Sequence, residues 1–313
     1  MWKYLTKEHK KEFILSLNLI GGKFSDTEKL NILYAISNNS EKYYTKKYIN
    51  KRNGKKRELL IPNKLLKSIQ KNILNNILNS LEVSKYAYAY IKNKSLNDNA
   101  SPHINQKVVL KLDIKDFFTS ITFEEIYKVI PNELFPPSIK VLILKLCTYY
   151  DYLPQGAPTS PMLSNLVLKN FDDYIGKYCE ERNIAYTRYC DDLTFSGDFD
   201  TKKLKNKVQA FIEEIGYNLN DKKTKVIKNN KRQIVTGLVV NDKVNILISY
   251  RKKIRQEMYY IDKYGLDNHL NRLNITCKEK YINSLKGRIN YCLSIDKDNK
   301  EFKNYLIRIN NLL

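Results

Sequence analysis

Apolar residues recur along the chain at two spacings, which separate predicted helices from predicted strands. Within residues 63–81, Leu66, Ile69, Ile73 and Ile77 follow one another at three or four positions, as one face of a helix requires. Comparable patterns predict helices within residues 1–40, 122–150, 162–181, 201–216 and 249–313. Shorter β-rich runs predict strands at 43–49, 57–62, 108–114, 184–189, 193–196, 233–240 and 244–248. The chain is therefore predicted to combine helices with short strands, several of them joined as hairpins.

The sequence Tyr189-Cys190-Asp191-Asp192 lies between two of these short strands, which predicts a hairpin whose turn carries two adjacent carboxylates. Two acids at a tight turn repel each other. They become favourable when a divalent cation lies between them and a third ligand, because Mg²⁺ prefers carboxylate oxygens and neutralises their charge. A lone Asp-Asp pair is more often a solvated turn, so a metal site needs support from elsewhere in the chain.

A third carboxylate, Asp113, lies near the end of the buried strand predicted at 108–114. An aspartate in that position is often a helix cap or a turn residue, and this alternative stays open here. The 78 positions between Asp113 and Asp191 leave room for a helical crossover that returns to the same sheet. We therefore expect the three acids to lie on neighbouring strand ends.

Composition points to a polyanionic partner. The 313 residues include 55 Lys and Arg against 33 Asp and Glu, a formal charge of +22. Nucleic acid is the first expectation and an anionic membrane surface the second, while a merely Lys-rich composition is the alternative. Five cysteines without paired spacing and three histidines argue against a zinc or disulfide framework and favour a reducing cytoplasm. With no signal-peptide core and no membrane-length apolar run, we expect a cytoplasmic protein without membrane contact.

Two further segments suit nucleotide chemistry. The loop Leu153–Pro161 combines prolines, which restrict φ, with Gly156, which permits close backbone approach to a ligand. The hairpin predicted at 43–62 turns near Asn53-Gly54 and carries Lys55, Lys56 and Arg57, which would contact phosphates or form a solvated edge. Together with three carboxylates, these features meet the needs of two-metal phosphoryl transfer, and the chain contains no Gly-rich phosphate loop ending in Lys-Ser/Thr.

These segments resemble the palm motifs of reverse transcriptases, in the correct order. The three that carry the resemblance are Leu112–Phe118, Leu153–Pro161 and Tyr189–Asp192. Two more elements, Asn99-Ala100-Ser101-Pro102-His103 and Val235-Thr236-Gly237, are similar to signatures of bacterial retron reverse transcriptases. The resemblance covers roughly residues 43–295. Cys190 is a small departure, since alanine or valine is commoner there in relatives.

The resemblance implies a role for each matching residue. Asp113, Asp191 and Asp192 would be catalytic and bind two Mg²⁺ ions, with the carbonyl of Ile114 as a further ligand. The nucleotide would be bound by Arg57, Phe118, Gln155, Gly156 and Lys223, where Phe118 is the steric gate against a ribose 2′-hydroxyl. Tyr189 and Cys190 would contact primer and template, and the cognate RNA would be recognised through Asn99, His103, Val235, Thr236 and Gly237. Arg57 and Lys223 have the alternative of solvated surface charge, Tyr189 that of an ordinary strand aromatic, and His103 that of a satisfied core histidine.

The implied fold is a right-hand polymerase of class α+β, with a mostly antiparallel palm sheet. Its expected parts are an amino-terminal helical extension (1–42), fingers (43–107), palm (108–248) and a basic helical thumb (249–313). The implied activity is RNA-directed DNA synthesis from dNTPs on a cognate structured non-coding RNA, giving branched multicopy single-stranded DNA. Such systems resemble anti-phage defences with a separate effector protein. Alternatives are another reverse transcriptase type, group II intron-like or diversity-generating, a catalytically silent RNA-binding scaffold, and a template-independent polymerase.

Overall fold

The computed structural model describes residues 2, 4–50, 54 and 56–311, so the predicted turn residue Asn53 and the basic residue Lys55 lie outside the described part. The chain forms two compact units. The first comprises Met1–Lys94, Leu110–Phe195 and Phe199–Val226, and the second comprises Ser95–Val109, Ser196–Asp198 and Ile227–Leu313. Among the described residues, no helix combines the length and the apolar character that crossing a membrane would require. The expected division into four parts stays a prediction.

Helices dominate the described chain. In sequence order they are α1 Lys7–Ser16, α2 Asp26–Asn38, α3 Lys64–Asn76, α4 Leu96–Ala100, α5 Phe117–Ser120, α6 Phe123–Val129, α7 Pro137–Cys147, α8 Ser160–Val167, α9 Lys169–Glu180, α10 Thr201–Glu214, α11 Ile248–Tyr264, α12 Leu266–Arg272, α13 Lys278–Ile295 and α14 Lys300–Asn310. Side-chain caps set several starts, since Ser25 and Glu28 form a capping box on α2 and Asn63 caps α3. The strands are β1 Tyr44–Asn50, β2 Lys56–Pro62, β3 Val108–Asp113, β4 Ala185–Tyr189, β5 Asp192–Gly197, β6 Lys225–Lys228, β7 Ile234–Val235, β8 Leu238–Val239 and β9 Asn245–Ile246.

Strands β3 to β6 form a four-stranded sheet with the order β4-β5-β3-β6. Strand β3 is buried along almost its whole length, so it reads in sequence as a continuous apolar run. Helices α5 to α9 connect β3 to β4, which confirms the predicted helical crossover that returns to the same sheet. The apolar core around this sheet also includes residues from α1, α2, α3 and α10.

The predicted amino-terminal hairpin is confirmed. Strands β1 and β2 pair antiparallel, with Tyr44 opposite Pro62 and Asn50 opposite Lys56. Strand β1 is exposed along nearly all its length, whereas the end of β2 is buried, with Leu60 only 3% exposed. The hairpin therefore rests on the body of the first unit through β2 and offers β1 to solvent.

Two sequence predictions were wrong in detail. The helix expected over 162–181 is interrupted at Leu168, whose backbone leaves helical values (φ −87°, ψ 4°) while its side chain is fully buried in the core. The single strand expected over 233–240 is folded back on itself, so that β7 pairs with β8 across Thr236-Gly237. Both turn residues have positive φ, 45° and 87°, which closes a two-residue hairpin of the primed type.

The second unit has its own core. Helices α11 to α14 supply most of it, together with β8, β9 and residues near α4. The predicted pairing of the 233–240 segment with the strand after it is confirmed, because β8 pairs antiparallel with β9. Residues 249–313 contain fourteen Lys and Arg against seven Asp and Glu, so this helical part is basic, as expected.

One backbone contact ties the hairpin to the Pro-Gly loop. The Leu60 N–H donates to the Gln155 carbonyl at 2.9 Å. Gly156 follows with φ +133°, and a Cβ atom there would lie 2.7 Å from the Leu60 carbonyl oxygen. Only glycine fits this close approach, because any other side chain meets backbone that cannot move away easily. Gly156 thus allows the loop to lie against β2.

We predict that Gly156→Ala destabilises the protein by about 1–3 kcal/mol more than Gly216→Ala, because it adds an overpacking cost. Gly216 is the matched control: it also has positive φ (+90°), but a Cβ there would meet no atom within 4 Å. Both variants share the backbone strain of about 1–2 kcal/mol. Chemical denaturation of both variants provides the measurement, and equal losses would contradict the proposed contact.

Candidate active site

A cavity of about 290 Å³ in the first unit gathers most of the residues predicted to act on a nucleotide. The predicted residues lining it are Arg57, Asp113, Ile114, Phe118, Gln155, Asp191 and Lys223. They come from the first hairpin, the end of β3, the Pro-Gly loop, the acidic turn and the segment before β6. Segments more than a hundred residues apart in sequence therefore meet at one place.

Backbone pairing brings the acidic turn beside the end of β3. Strands β3 and β5 are neighbours in the sheet, and the Ile114 N–H donates to the Asp191 carbonyl at 3.0 Å. On the other side, the Asn220 N–H donates to the Asp113 carbonyl at 2.8 Å. Asp113 ends β3 and Asp192 begins β5. The predicted convergence of Asp113 with the 191–192 pair at one sheet edge is therefore confirmed at the level of the backbone.

The turn that carries Asp191 has an unusual backbone. Cys190 has φ +61°, a left-handed conformation that is uncommon outside glycine. Its thiol is buried and lies 3.6 Å from the hydroxyl of Tyr90, which donates to it. Burial raises the pKa of the Cys190 thiol to about 12, so it stays protonated near neutral pH. Tyr189, next to it, is half-buried at the end of β4.

The environment of the turn disfavours the ionised form of both its carboxylates, Asp191 and Asp192. Burial, and then the charges of Asp113 and Asp192, raise the pKa of Asp191. Burial also raises the pKa of Asp192, although Lys111 opposes the shift. Desolvation and like charge both disfavour the ionised form. The site therefore has a place for positive charge.

Lys223 supplies one positive charge. Its ammonium group donates to Oδ2 of Asp113 at 2.7 Å. Burial lowers the pKa of Lys223, but the hydrogen bond to Asp113 and the carboxylate charges outweigh it, so the pKa is raised overall. The lysine side chain is 55% exposed whereas that of Asp113 is 5% exposed. Lys223 is thus a partly exposed cation that is hydrogen-bonded to a buried carboxylate.

The carboxylate oxygens at this site are of the kind that a hard divalent cation prefers. Oδ1 of Asp113 is buried and has no hydrogen-bond partner, which suits an oxygen that ligates a metal. Within the described part of the chain, however, no three acidic, histidine or cysteine side chains are grouped closely enough to hold a metal ion in this conformation. The Mg²⁺ ligands expected from the sequence remain a prediction.

Several cavity residues were missed by sequence reasoning. They are Glu58, Asp116, Phe117, Thr119 and Asn220, whereas Lys56, which was expected to contact phosphates, also lines the cavity. Asp116 could have been found from the sequence, because it lies within the Leu112–Phe118 motif. In the structure it has φ +47° and directly precedes α5. Asn220 could not have been found from the sequence, because it is brought to the site by the hydrogen bond from its N–H to the Asp113 carbonyl.

The retron-like elements lie in the second unit and meet each other there. The Asn99 side-chain amide donates to the Thr236 hydroxyl at 3.2 Å, and His103 Nδ1 lies 2.7 Å from the Ser196 hydroxyl. Asn99, His103 and Val235 are all fully buried. Within these elements the surface is reached by Pro102, which is exposed, by half-buried Ser101, and by the Thr236-Gly237 turn. Any contact that these elements make with RNA would therefore involve the turn or the exposed 101–102 segment rather than the three buried side chains.

A basic chain with three acids at one sheet edge beside a nucleotide-sized cavity is the arrangement expected of a two-metal polymerase. Residues 49–249 match the family described as reverse transcriptase (RNA-dependent DNA polymerase). The protein is therefore a reverse transcriptase, with the α+β right-hand polymerase fold of that class.

Similarity to individual proteins narrows the family. The chain is 32% identical over 288 residues to the retron Ec86 reverse transcriptase of Escherichia coli, covering 90% of this chain and 85% of the relative. It is 31% identical over 238 residues to the retron Mx65 reverse transcriptase of Myxococcus xanthus, covering 70% of this chain and 56% of that longer relative. The chain belongs to the retron reverse transcriptases.

Distant similarity extends to solved polymerases. The structure of telomerase from Candida albicans with a fragment of telomeric RNA matches at 14% identity and a TM-score of 0.47, covering 85% of this chain and 60% of that one. The foamy viral protease-reverse transcriptase with double-stranded DNA matches at 16% identity and a TM-score of 0.45, covering 86% and 45%.

The raised pKa of Asp191 has a consequence for stability. A carboxyl whose pKa is higher in the folded protein than in the unfolded chain costs stability once it is ionised. We predict that Asp191→Asn raises the temperature of unfolding near pH 8 without divalent ions. The gain should shrink as the pH falls towards the ordinary carboxyl value of 3.8, because the wild-type side chain then takes up a proton first in the folded state.

Thermal unfolding of wild type and variant across this pH range is the measurement. Asp151→Asn, which removes an exposed aspartate from the same unit, is the control and should give no gain. A variant Asp191→Asn that is less stable than wild type at every pH would show that the carboxylate is not under electrostatic strain.

Proposed function

We propose that this enzyme copies a cognate structured non-coding RNA into DNA, using the cavity at Asp113 and Asp191 as its polymerase site, and that the product is branched multicopy single-stranded DNA. The observation that carries the proposal is that this one cavity collects both the acidic and the basic residues that nucleotidyl transfer needs. Similarity to retron enzymes and the formal charge of +22 support an RNA partner.

Each side chain has a proposed task at this site. Asp113, Asp191 and Asp192 would hold two Mg²⁺ ions, which would activate the attacking hydroxyl and stabilise the leaving pyrophosphate. Arg57 and Lys223 would bind the triphosphate of the incoming dNTP. When Lys223 leaves Asp113 for a phosphate, it uncovers the carboxylate oxygen that it holds at 2.7 Å.

Other residues would shape the nucleotide site: Phe118 and Gln155 line the cavity, whereas Gly156, Tyr189 and Cys190 are not among its lining residues and lie near them in sequence. Phe118 packs its ring 5.5 Å from that of buried Phe117, which would hold it as a wall against a ribose 2′-hydroxyl. Gln155 has its carbonyl fixed by the Leu60 N–H, and Gly156 keeps backbone exposed beside it. Tyr189 and Cys190 would support the primer end from the acidic turn.

The variant Asp191→Asn/Asp192→Asn is expected to lose DNA synthesis by at least ~10³-fold, because charge stabilisation in the transition state is lost. RNA binding should stay within about threefold of wild type, since phosphate contacts made by basic residues supply most of the affinity. Primer extension with Mg²⁺ and filter binding of the cognate RNA measure the two properties.

Full extension by the double variant would overturn the assigned site. If wild type binds RNA but extends no primer, the chain acts as an RNA-binding scaffold. Extension that continues when template is omitted would indicate a template-independent polymerase, and a reaction that ignores the cognate RNA in favour of any primed template would indicate another type of reverse transcriptase.

Recognition of the cognate RNA is proposed to involve the Thr236-Gly237 turn. A β-branched residue at φ +45° is costly, and such strain persists where surrounding structure holds it in place. The Asn99 amide is part of that support, through its hydrogen bond to the Thr236 hydroxyl. Buried Asn99 would thus serve recognition indirectly.

We predict that Asn99→Ala and Thr236→Val each weaken use of the cognate RNA by about tenfold, the effect of ~1.4 kcal/mol. Extension of a generic primed template should change less than twofold. Comparing both substrates in one assay gives the ratio directly, and Thr122→Val, which alters a helix cap in the first unit, controls for general destabilisation. Equal losses on both templates would count against a role in recognition.

The anti-phage role and a separate effector protein are proposed from the resemblance to retrons. Their test is a plaque assay with cells that carry the gene and its neighbouring sequence. Protection that survives the Asp191→Asn/Asp192→Asn change would separate defence from DNA synthesis.

A further inference from the structure

A fully buried ion pair lies behind the acidic turn. Arg188 and Asp172 have no exposed side-chain surface. The guanidinium Nε donates to Asp172 Oδ1 at 2.8 Å and to Oδ2 at 3.0 Å, and Nη2 donates to Oδ2 at 2.5 Å. The desolvation penalty of burying two charges can exceed the energy of their attraction, so a buried ion pair is weak evidence for a contribution to stability. A need for specific geometry explains this pair better.

The third guanidinium nitrogen reaches the acidic turn itself. Arg188 Nη1 donates to the Cys190 carbonyl and to the side-chain oxygen of Asn165, both at 3.1 Å. The Cys190 carbonyl belongs to the peptide bond that leads into Asp191. Because a peptide unit is planar, fixing this carbonyl fixes the plane from which the Asp191 backbone starts.

The partners of Arg188 are held in turn by the surrounding elements. Asp172 lies on α9 and also accepts a hydrogen bond from the Tyr186 hydroxyl at 2.8 Å. Asn165 lies on α8 and donates to the Ala89 carbonyl at 2.9 Å. The guanidinium therefore links α8 and α9 to the Cys190 carbonyl, so the position of this carbonyl depends on the positions of the two helices.

The turn needs this support. Cys190 has φ +61° without being glycine, so its conformation is costly and requires external contacts. Lysine could not replace the arginine, because a single ammonium cannot hold a carboxylate in two-point contact and reach the carbonyl and amide oxygens as well.

We infer that Arg188 is a positioning residue for nucleotidyl transfer: its guanidinium, braced by Asp172 and Asn165, holds the Cys190 carbonyl and so places Asp191. The inference rests on the proposed catalytic role of Asp191. The backbone of Arg188 is held separately, since its N–H donates to the Tyr86 carbonyl at 2.8 Å and its carbonyl accepts from the Tyr88 N–H at 2.9 Å. The strand should therefore survive a change of the side chain.

The test combines kinetics with thiol labelling in Arg188→Lys and Asn165→Ala. Cys190 is a built-in probe of the turn, because its thiol is buried beside the residue in question. Cys147, buried in α7, reports on the unit as a whole. Labelling of each cysteine by a maleimide is followed by mass spectrometry on the full chain, and kcat and KM for dNTP are measured on a primed template.

We expect Arg188→Lys to label Cys190 about tenfold faster relative to Cys147, and to lower kcat by ~10²-fold, the effect of a misplacement near 1 Å. KM for dNTP should change less than threefold. Asn165→Ala should shift both properties in the same direction by a smaller amount.

Lys140→Met is the matched control. Lys140 is a buried cation in the same unit, 2% exposed, but its ammonium donates to the Ile130 carbonyl at 2.6 Å and to the Asn132 side chain. This variant should leave the labelling ratio and kcat within about twofold of wild type. Faster labelling of Cys147 and Cys190 together in Arg188→Lys would reduce Arg188 to a stability role, and an unchanged ratio with unchanged kcat would refute the inference. If wild type makes no DNA, the proposed function fails, while the labelling ratio still tests the support of the turn.

Discussion

Three carboxylates that repel one another lie at the ends of two neighbouring strands, and the first unit must hold them together there. Asp113 is nearly buried, and the pKa values of Asp191 and Asp192 are raised by burial and by like charge. A chain free to relax would move these groups apart. They stay together because backbone hydrogen bonds on either side of Asp113, to Asp191 and to Asn220, fix the strand end and the turn irrespective of side-chain charge.

Backbone pairing alone does not orient the turn, and the two cations near it act differently. Arg188 is buried, permanently charged and fully engaged, so it can serve only as a fixed support. Lys223 is half-exposed at the end of a long side chain, so its ammonium group remains accessible from solvent. The site thus combines one cation that is buried beside the turn with another that is partly open to solvent.

The sequence predicted most of the elements and many of the cavity residues, but it did not predict the local backbone geometry. The apolar run ending at Asp113 and the acidic hairpin have strong local signals, so both were predicted. The break at Leu168 and the fold-back at Thr236 were not, because burial of one leucine and support from distant Asn99 decide them. Nor did the sequence show that Arg188 faces inward, since a strand arginine between Thr187 and Tyr189 reads equally well as an exposed charge.

Burial also changes how the retron-like motifs are interpreted. Asn99, His103 and Val235 identify the family in sequence, yet none of them has exposed surface, so they cannot touch RNA in this conformation. Asn99 instead supports the Thr236-Gly237 turn, where a β-branched residue is held at positive φ, and His103 contacts the Ser196 hydroxyl. We infer a similar arrangement for the polymerase motif, where the buried Arg188 guanidinium holds the carbonyl that precedes Asp191. The sequence motifs of both units therefore contain two kinds of residue. Some are exposed and available for contact with a ligand, and others are buried and stabilise a backbone conformation that would otherwise be unfavourable.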